Sequence, residues 1–450
     1  MSGPRVIIAG TSSGSGKTTA VCAILTLLRR RGADVRSFKC GPDYIDPMFH
    51  RSVLGVECMN LDPFFCCRNS MNRLLAEYSG RDITVIEGVM GYYDGTGVDG
   101  TDNSTFTAAV RTRTPVILAV SAKGTSSSAL AVIDGFLRFV PESMIKGVIF
   151  ERVSKMTYMY LKELTEKRFR GRVVPVGYIP ELPEDCVIPS RHLGLVTAGE
   201  IEDISGIIGK TADICADTVD LDKIVSIAET ARAPEYTVRE TEKYPGITVA
   251  VAYDRAFCFY YRETFDLLRR MGASISYFSP LDNEPVPCDA DGLMIGGGYP
   301  ELYAERLEAN TVSKNSVAGA AGNGMPTVAE CGGFQYLGRK LDGREMCGVL
   351  PHESFAAGKL VRFGYVSLKS KHGGLFGDMG VKLKAHEFHY WDSTDNGDSF
   401  TAVKPNGKSW DCAVMTDTMY AGYPHLYLYS NPDAVSEYYK KCLEYKERKK

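Results

Sequence analysis

RVIIAGTSSGSGKTTAVCAILTLL, residues 5–28, decides the fold. It opens with an apolar run, Arg5–Ala9, long enough for one buried strand. It continues through a Gly/Ser-rich loop and ends in a segment rich in Ala and Leu that reads as a helix. Strand, glycine loop, Lys-Thr and helix in that order are the context a phosphate loop requires. Gly14 and Gly16 let backbone N–H groups turn inward around a phosphate. Lys17 is placed to reach the outer phosphate oxygens and Thr18 to hold Mg²⁺. Gly14, Ser15, Gly16, Lys17, Thr18 and Thr19 are therefore the candidate nucleotide-binding residues. The strict spacing asks for glycine at position 11; this chain has Thr11 there, with Gly10 one place earlier. Without its phosphate the same stretch would be an ordinary turn before a helix.

Outward from this loop, short apolar runs alternate with helical stretches over the first 200 residues. The expected strands are Arg5–Ala9, Asp34–Lys39, Ile83–Glu87, Pro115–Ser121, Lys146–Arg152 and Val173–Ile179. Continuously apolar strands alternating with helices predict an α/β domain whose parallel sheet is covered on both faces. Residues 201–244 turn polar and charged and read as a helical connector. A second α/β alternation follows from 245 to 450. ITVAVAY, ISYFSP, DGLMIGGG and PTVAEC are its strands, Tyr261–Met271 is a helix, and the tail from Pro432 is a helix ending in Lys/Arg.

The bulk numbers agree. The chain has 450 residues, 44% hydrophobic and 24% charged, enough for two or three domains with real cores. A net charge of −3 gives no general attraction to nucleic acid or membrane. There is no signal-peptide layout and no apolar run of the ~20 residues a membrane span needs, so a soluble, cytoplasmic chain is expected. The 13 cysteines are odd in number and none is spaced C-x-x-C, which argues against a zinc site or a disulfide framework.

Loops at the carboxyl ends of parallel strands form the ligand crevice. VIEGVMGYYDG, residues 85–95, puts Glu87 at a strand end beside the phosphate loop and Asp94 in a Gly-rich turn. Both are candidate carboxylates for Mg²⁺ or for the nucleotide side; the alternatives are a surface acid and a turn-forming Asp. KCGPDYIDPMFH, residues 39–50, reads as one Pro/Gly-rich loop carrying Lys39, Asp43, Tyr44, Ile45, Asp46 and His50. Lys39 is placed to meet an anionic substrate, and Asp43 and Asp46 to orient metal or substrate.

AECGGFQYLG, residues 329–338, places Cys331 on a strand-to-helix turn flanked by Gly332 and Gly333. A cysteine there is expected to be exposed and to face a helix N-terminus that favours the thiolate. Its expected base is His425 in GYPHLYLY, with His386 and His389 as further cleft candidates. Backbone donors at Gly297 and Gly298, in GGGYPE, are the expected oxyanion hole.

Taken in order, KCGPDYIDPMFH, EGVMGYYDG, PSRHLGL (189–195), AFCFYYRET (256–264), GGGYPELYA (296–304), AECGGFQYLG and HEFHY (386–390) resemble the cobyrinate a,c-diamide synthases, glutamine amidotransferases of corrinoid biosynthesis. The resemblance covers nearly the whole chain. It implies an N-terminal synthetase domain of the dethiobiotin-synthetase type, whose phosphate loop shares the G-T-x-x-x-x-G-K-T layout. It also implies a C-terminal, flavodoxin-like class I glutamine amidotransferase domain. The implied activity is that of a carbon–nitrogen ligase using ATP, Mg²⁺ and L-glutamine on an anionic tetrapyrrole, through an acyl phosphate. A protected route for free ammonia is then needed, and the resemblance admits a homodimer. Lys39, Asp43, Tyr44, Ile45, Asp46 and Asp94 fall on the substrate side, and Thr18 and Glu87 on the metal.

The sequence departs from that pattern in places. Class I amidotransferases usually carry a Glu two residues after the histidine; here Leu426 and Tyr427 follow His425, which leaves a Cys–His pair and an unidentified orienting group. Ser121 stands where related synthetases often have Asp, and Glu151 where Asn is frequent. A Ni-sirohydrochlorin a,c-diamide synthase is the nearest competing reading. A partitioning-type P-loop ATPase is the competing reading of another class, and it has no need of the Cys331 elbow.

Overall fold

The structure, a computed structural model, describes residues 3–97, 100–187, 190–191, 194–195 and 204–449. The chain forms two compact units, Met1–Val238 and Arg239–Lys450.

The first unit is built on a seven-stranded sheet: β1 (Arg5–Gly10), β2 (Val35–Lys39), β3 (Cys58–Asn60), β4 (Ile83–Glu87), β5 (Val116–Ser121), β6 (Ile145–Glu151) and β7 (Val174–Ile179). Their order across the sheet is β3-β2-β4-β1-β5-β6-β7, and every pairing is parallel. β1 and β4 are buried at every residue, which is why they read as unbroken apolar runs. From β1 the chain crosses to one side of the sheet and later, through β5, to the other. The loop after β1 therefore sits at the switch point where such sheets bind ligands.

The helices are α1 (Lys17–Arg30), α2 (Ile45–Ser52), α3 (Arg68–Tyr78), α4 (Thr105–Thr112), α5 (Ser128–Arg138) and α6 (Lys155–Phe169). α2 corrects the reading of 39–50 as one loop. Asp43 Oδ1 accepts the N–H groups of Ile45 (2.8 Å) and Asp46 (3.1 Å), and Pro47 sits in the first turn, where a missing N–H costs nothing. Of PSRHLGL, only the paired strands β8 (Ser190–Arg191) and β9 (Gly194–Leu195) are described; Pro189, His192 and Leu193 lie outside the described residues.

Within 201–244, α7 (Ile204–Ala216) and α8 (Leu221–Glu229) are helical, and 231–244 carries neither helix nor strand. α7 packs on α1, and α8 on β1 and β7. A Cβ on Gly147 of β6 would come within 2.8 Å of the Ile227 side chain, so α8 lies directly on the sheet. Buried Arg5 donates to Thr114 Oγ1 (3.0 Å) and to the carbonyls of Thr112 and Arg232, tying the chain after α8 to β1.

The second unit carries β10 (Thr248–Ala252), α9 (Arg262–Arg270), β11 (Ser274–Phe278), β12 (Gly292–Ile295), α10 (Ala304–Ala309), α11 (Thr311–Gly322), β13 (Thr327–Glu330) and α12 (Gly332–Leu337). Its six-stranded sheet runs β11-β10-β12-β13, then Met419–Gly422 and Val414–Met415; only the last pairing is antiparallel. A five-stranded antiparallel sheet includes Lys382–His389 and His425–Leu426, with His386 and His425 directly paired. No helix among the described residues is long and apolar enough to cross a membrane.

Candidate functional site

In the first unit the phosphate loop is shaped by close approach. A Cβ on Gly10 would lie 2.0 Å from Ser15 Oγ and 2.9 Å from Lys17 Cγ, so glycine is needed at position 10 and not at Thr11. Thr11 instead donates its N–H to Ala119 of β5 (3.3 Å). Gly14 and Gly16 have φ of 71° and 90°, the left-handed region glycine enters freely. Lys17 bridges the loop by donating to the Ser12 carbonyl (2.9 Å). Burial, and then Lys39, lower its pKa to about 8, which an arriving anion would reverse.

Lys39 and Glu87 end neighbouring parallel strands in register, so their side chains emerge on the same face. Lys39 Nζ donates to Glu87 Oε1 (2.8 Å) and pairs with Asp46. Thr18 Oγ1, in the first turn of α1, donates to the same Oε1 (2.7 Å). His50 lies 3.4 Å from Glu87 Oε2 and shares a 3.0 Å hydrogen bond with Ser37 Oγ. Asp46 reaches Lys39 and His50 reaches Glu87 from one face of α2, because they are one helical turn apart. Burial opposes charge on Glu87, yet Lys39 and His50 outweigh it and hold the carboxyl below the usual range. Burial likewise opposes charge on Lys39, but Asp46 and Glu87 raise its pKa well above normal. His50 is also raised, against burial, by Cys58, Cys22 and Glu87. Burial and Asp46 push Asp43 up to about 7.

The Thr18 hydroxyl and the ionised Glu87 carboxylate, both oxygen donors, fit a hard divalent cation. Asp94 Oδ2 accepts the Gly91 N–H (2.8 Å), and Tyr92 N–H donates to Gly10, so this turn lies against the phosphate loop. Lys39 is engaged by two carboxylates rather than presented to solvent, and Tyr44 and Ile45 are buried. Glu151, at the end of β6, is also buried, and its carboxyl lies 2.5 Å from where a Gly16 Cβ would be; burial raises its pKa well above normal.

In the second unit Cys331 turns out of β13 with φ 49° and ψ −103°, a backbone strain no ordinary core cysteine needs. Gly333 packs so tightly on β12 that a Cβ would lie 2.0 Å from the Ile295 carbonyl. A Gly332 Cβ would lie 3.3 Å from the Gly298 nitrogen, which puts the GGG segment beside the elbow. The expectation of an exposed, thiolate-prone cysteine is corrected. Cys331 is 8% exposed, and burial, then Glu301 and further Glu330 and Glu387, push its thiol pKa up.

His425 lies against the GGG segment. A Cβ on Gly297 would come 2.3 Å from its Cε1, so glycine there makes room for the ring. Burial, then His386 and His389, lower its pKa to about 3. His389 stacks on Tyr423 (centroids 4.0 Å apart) and shares a 2.6 Å hydrogen bond between its Nδ1 and the Trp391 carbonyl.

The residue that sequence reasoning passed over is Glu330. Its Oε2 lies 3.8 Å from His425 Nδ1, and its Oε1 accepts the Leu426 N–H (3.1 Å). Burial raises its pKa to about 8. The available signal was a lone acid closing an apolar strand next to the nucleophile.

Two family models match. Residues 6–196 match the CobQ/CobB/MinD/ParA nucleotide binding domain, and residues 248–433 the CobB/CobQ-like glutamine amidotransferase domain. The chain is similar to curated proteins named cobyrinate a,c-diamide synthase. That of Listeria monocytogenes is 39% identical, over 95% of this chain and 97% of its own. That of Priestia megaterium is 36% identical, over 100% and 99%. That of Thermoplasma volcanium is 37% identical, over 99% of each.

Proposed function

The chain belongs to the cobyrinate a,c-diamide synthase family, and from that premise we propose that it converts the a and c acetate carboxylates of cobyrinic acid to amides, driven by ATP with glutamine as nitrogen donor. The carrying observation is that relatives of that name align across both units at once, at 39% identity over 95% of the chain.

A carboxylate is a poor acyl donor because its oxygen leaves badly. In the first unit a substrate carboxylate oxygen attacks the γ-phosphorus of ATP, giving an acyl phosphate and ADP. Ammonia then attacks the acyl carbon and phosphate departs. The backbone of Gly14, Ser15 and Gly16, with Lys17, Thr18 and Thr19, binds the phosphates. Mg²⁺, when bound through Thr18 and the Glu87 side, supplies neutralisation of phosphate charge. Glu87 is kept ionised for that task by Lys39 and His50. The segment carrying Lys39, Asp43, Tyr44, Ile45 and Asp46, with Asp94, is assigned to the anionic tetrapyrrole.

In the second unit Cys331 sulfur attacks the glutamine amide carbon while its proton passes to His425. The oxyanion is held by N–H groups of Gly297 and Gly298. The C–N bond breaks, the proton goes to the leaving nitrogen, and ammonia is released. Water then hydrolyses the thioester to glutamate. A neutral resting thiol at Cys331 and imidazole at His425 suit this chemistry, because their charge is created only as the amide reacts.

The test is mass spectrometry of cobyrinic acid incubated with the full chain, Mg²⁺, ATP and glutamine. Two successive replacements of carboxylate by amide, with ADP release, are expected. ATP hydrolysis or glutaminase activity without amidated product would overturn the substrate and send the assay to Ni-sirohydrochlorin.

A further inference from the structure

We infer that Glu330, the residue immediately before the nucleophile, is the positioning group for His425: it fixes the ring's tautomer and balances its charge when the ring takes the proton of Cys331. The inference rests on the reading of Cys331 and His425 as the glutamine-cleaving pair, and it supplies the orienting group that Leu426 and Tyr427 do not.

The geometry is specific. Glu330 ends β13, and its carboxyl is anchored by the histidine's own strand and faces its ring. One oxygen takes the Leu426 N–H at 3.1 Å, and the other lies 3.8 Å from His425 Nδ1. The ring cannot drift away from this contact, because Gly297 is packed close enough that a single added carbon would touch Cε1. Position 427, where an acid would follow the histidine by two, holds Tyr427, whose ring packs edge-on to Tyr261 (4.9 Å). Strand β13 thus delivers both the nucleophile and the carboxylate, on consecutive residues.

A carboxylate facing Nδ1 holds the proton there and leaves Nε2 as the acceptor. When the Cys331 proton reaches Nε2, the ring becomes an imidazolium whose Nδ1–H faces Glu330. The sulfur's electron pair forms the C–S bond, and the Nε2 proton later leaves with the departing ammonia. The ring therefore ends neutral, and an ionised Glu330 neither gains nor loses a proton in the step.

The other titratable groups facing this cluster are His386, Glu387 and His389 on the strand Lys382–His389, Glu301 beyond β12, and the hydroxyls of Tyr260 and Tyr420. Burial lifts Glu330 to about 8, so its charge is present only as the pH rises through that region.

The experiment is glutamine hydrolysis by the full chain, with Glu330→Gln as the main variant. Glutamine keeps an acceptor for the Leu426 N–H and removes only the charge. The expected result is a fall in kcat of about 100-fold with KM for glutamine within about twofold. In the parent, kcat should climb as pH rises through about 8, and this limb should vanish in Glu330→Gln. Glu330→Asp, which retains a shorter carboxylate, should restore the limb at an intermediate rate. Parental kcat and an unaltered limb in Glu330→Gln would overturn the inference. So would equal losses in the Gln and Asp variants with the limb unmoved, which mark a packing role. Cys331→Ser separates the two readings. If it still hydrolyses glutamine, the underlying assignment falls; if it is inactive while Glu330→Gln is parental, only Glu330 falls.

Discussion

The two sites sit on the same architectural feature, the carboxyl end of a parallel sheet, and handle charge in opposite ways. In the first unit Lys39, Glu87 and His50 are buried as ions, in a network that Asp46 joins through Lys39. In the second, Cys331, His425 and Glu330 are buried with little to offset desolvation, and each is pushed toward its neutral form. The first site must present a fixed pattern of charge to a polyanion before any reaction. The second receives a neutral amide and separates charge only during bond breaking. Burial is common to both; what differs is whether neighbouring charge outweighs desolvation.

The sharpest test of that division removes one group from each side. Cys331→Ser should abolish glutamine-dependent product and leave ammonia-dependent amidation intact, whereas Lys17→Ala should abolish both. Parallel assays with glutamine and with ammonium salt read this directly.

Next in size is Glu87→Gln, which leaves buried His50 without its carboxylate and buried Lys39 with Asp46 alone. A loss of about 3–5 kcal/mol in unfolding free energy is expected, measured by urea denaturation. A loss below about 1 kcal/mol would mean the network is not held by charge.

Acid should reveal the same contrast. Glu87 has a folded pKa below its unfolded value, so its stabilisation is present above about pH 4.3 and lost as pH falls further. Glu330 is raised, so its contribution is full below about pH 4.3 and lost as pH climbs toward 8. Glu330→Gln should therefore unfold at higher temperature than the parent at pH 8, with the advantage shrinking toward pH 4. A calorimetric series across that range checks both signs.

The smallest effect is expected at the phosphate loop. Gly10→Ala places a Cβ 2.0 Å from Ser15 Oγ. Relief of that overlap should cost about 1–2 kcal/mol, seen as about a tenfold rise in KM for ATP with glutaminase activity unmoved.

Much of this was legible from residues near one another in the chain. Ile83–Glu87 and the other apolar runs announced the parallel sheet, and the backbone turn at Cys331 was foretold by its flanking glycines. What escaped was non-local or disguised. Gly41-Pro42 and Pro47 concealed α2, because proline reads as a breaker although the first helical turn tolerates it. With α2 missed, the spacing of Asp46 and His50 carried no meaning. Glu330 lies beside Cys331 in the sequence, but its partner comes from another strand, and only the order of β13 and Met419–Gly422 in the sheet brings the two together. The burial that reverses the expected thiolate could not be read from spacing at all.

Arg5, which opens β1, finishes its hydrogen bonding only when the carbonyl of Arg232 arrives. Between them lie all seven strands of the sheet and the helices that cover it. A nascent chain released as far as β7 would hold an uncovered sheet flank where α8 belongs, and a guanidinium short of one acceptor. The first unit is therefore latched from its far end. During synthesis its ATP site should become protease-resistant late and abruptly, when the segment after α8 emerges, rather than strand by strand.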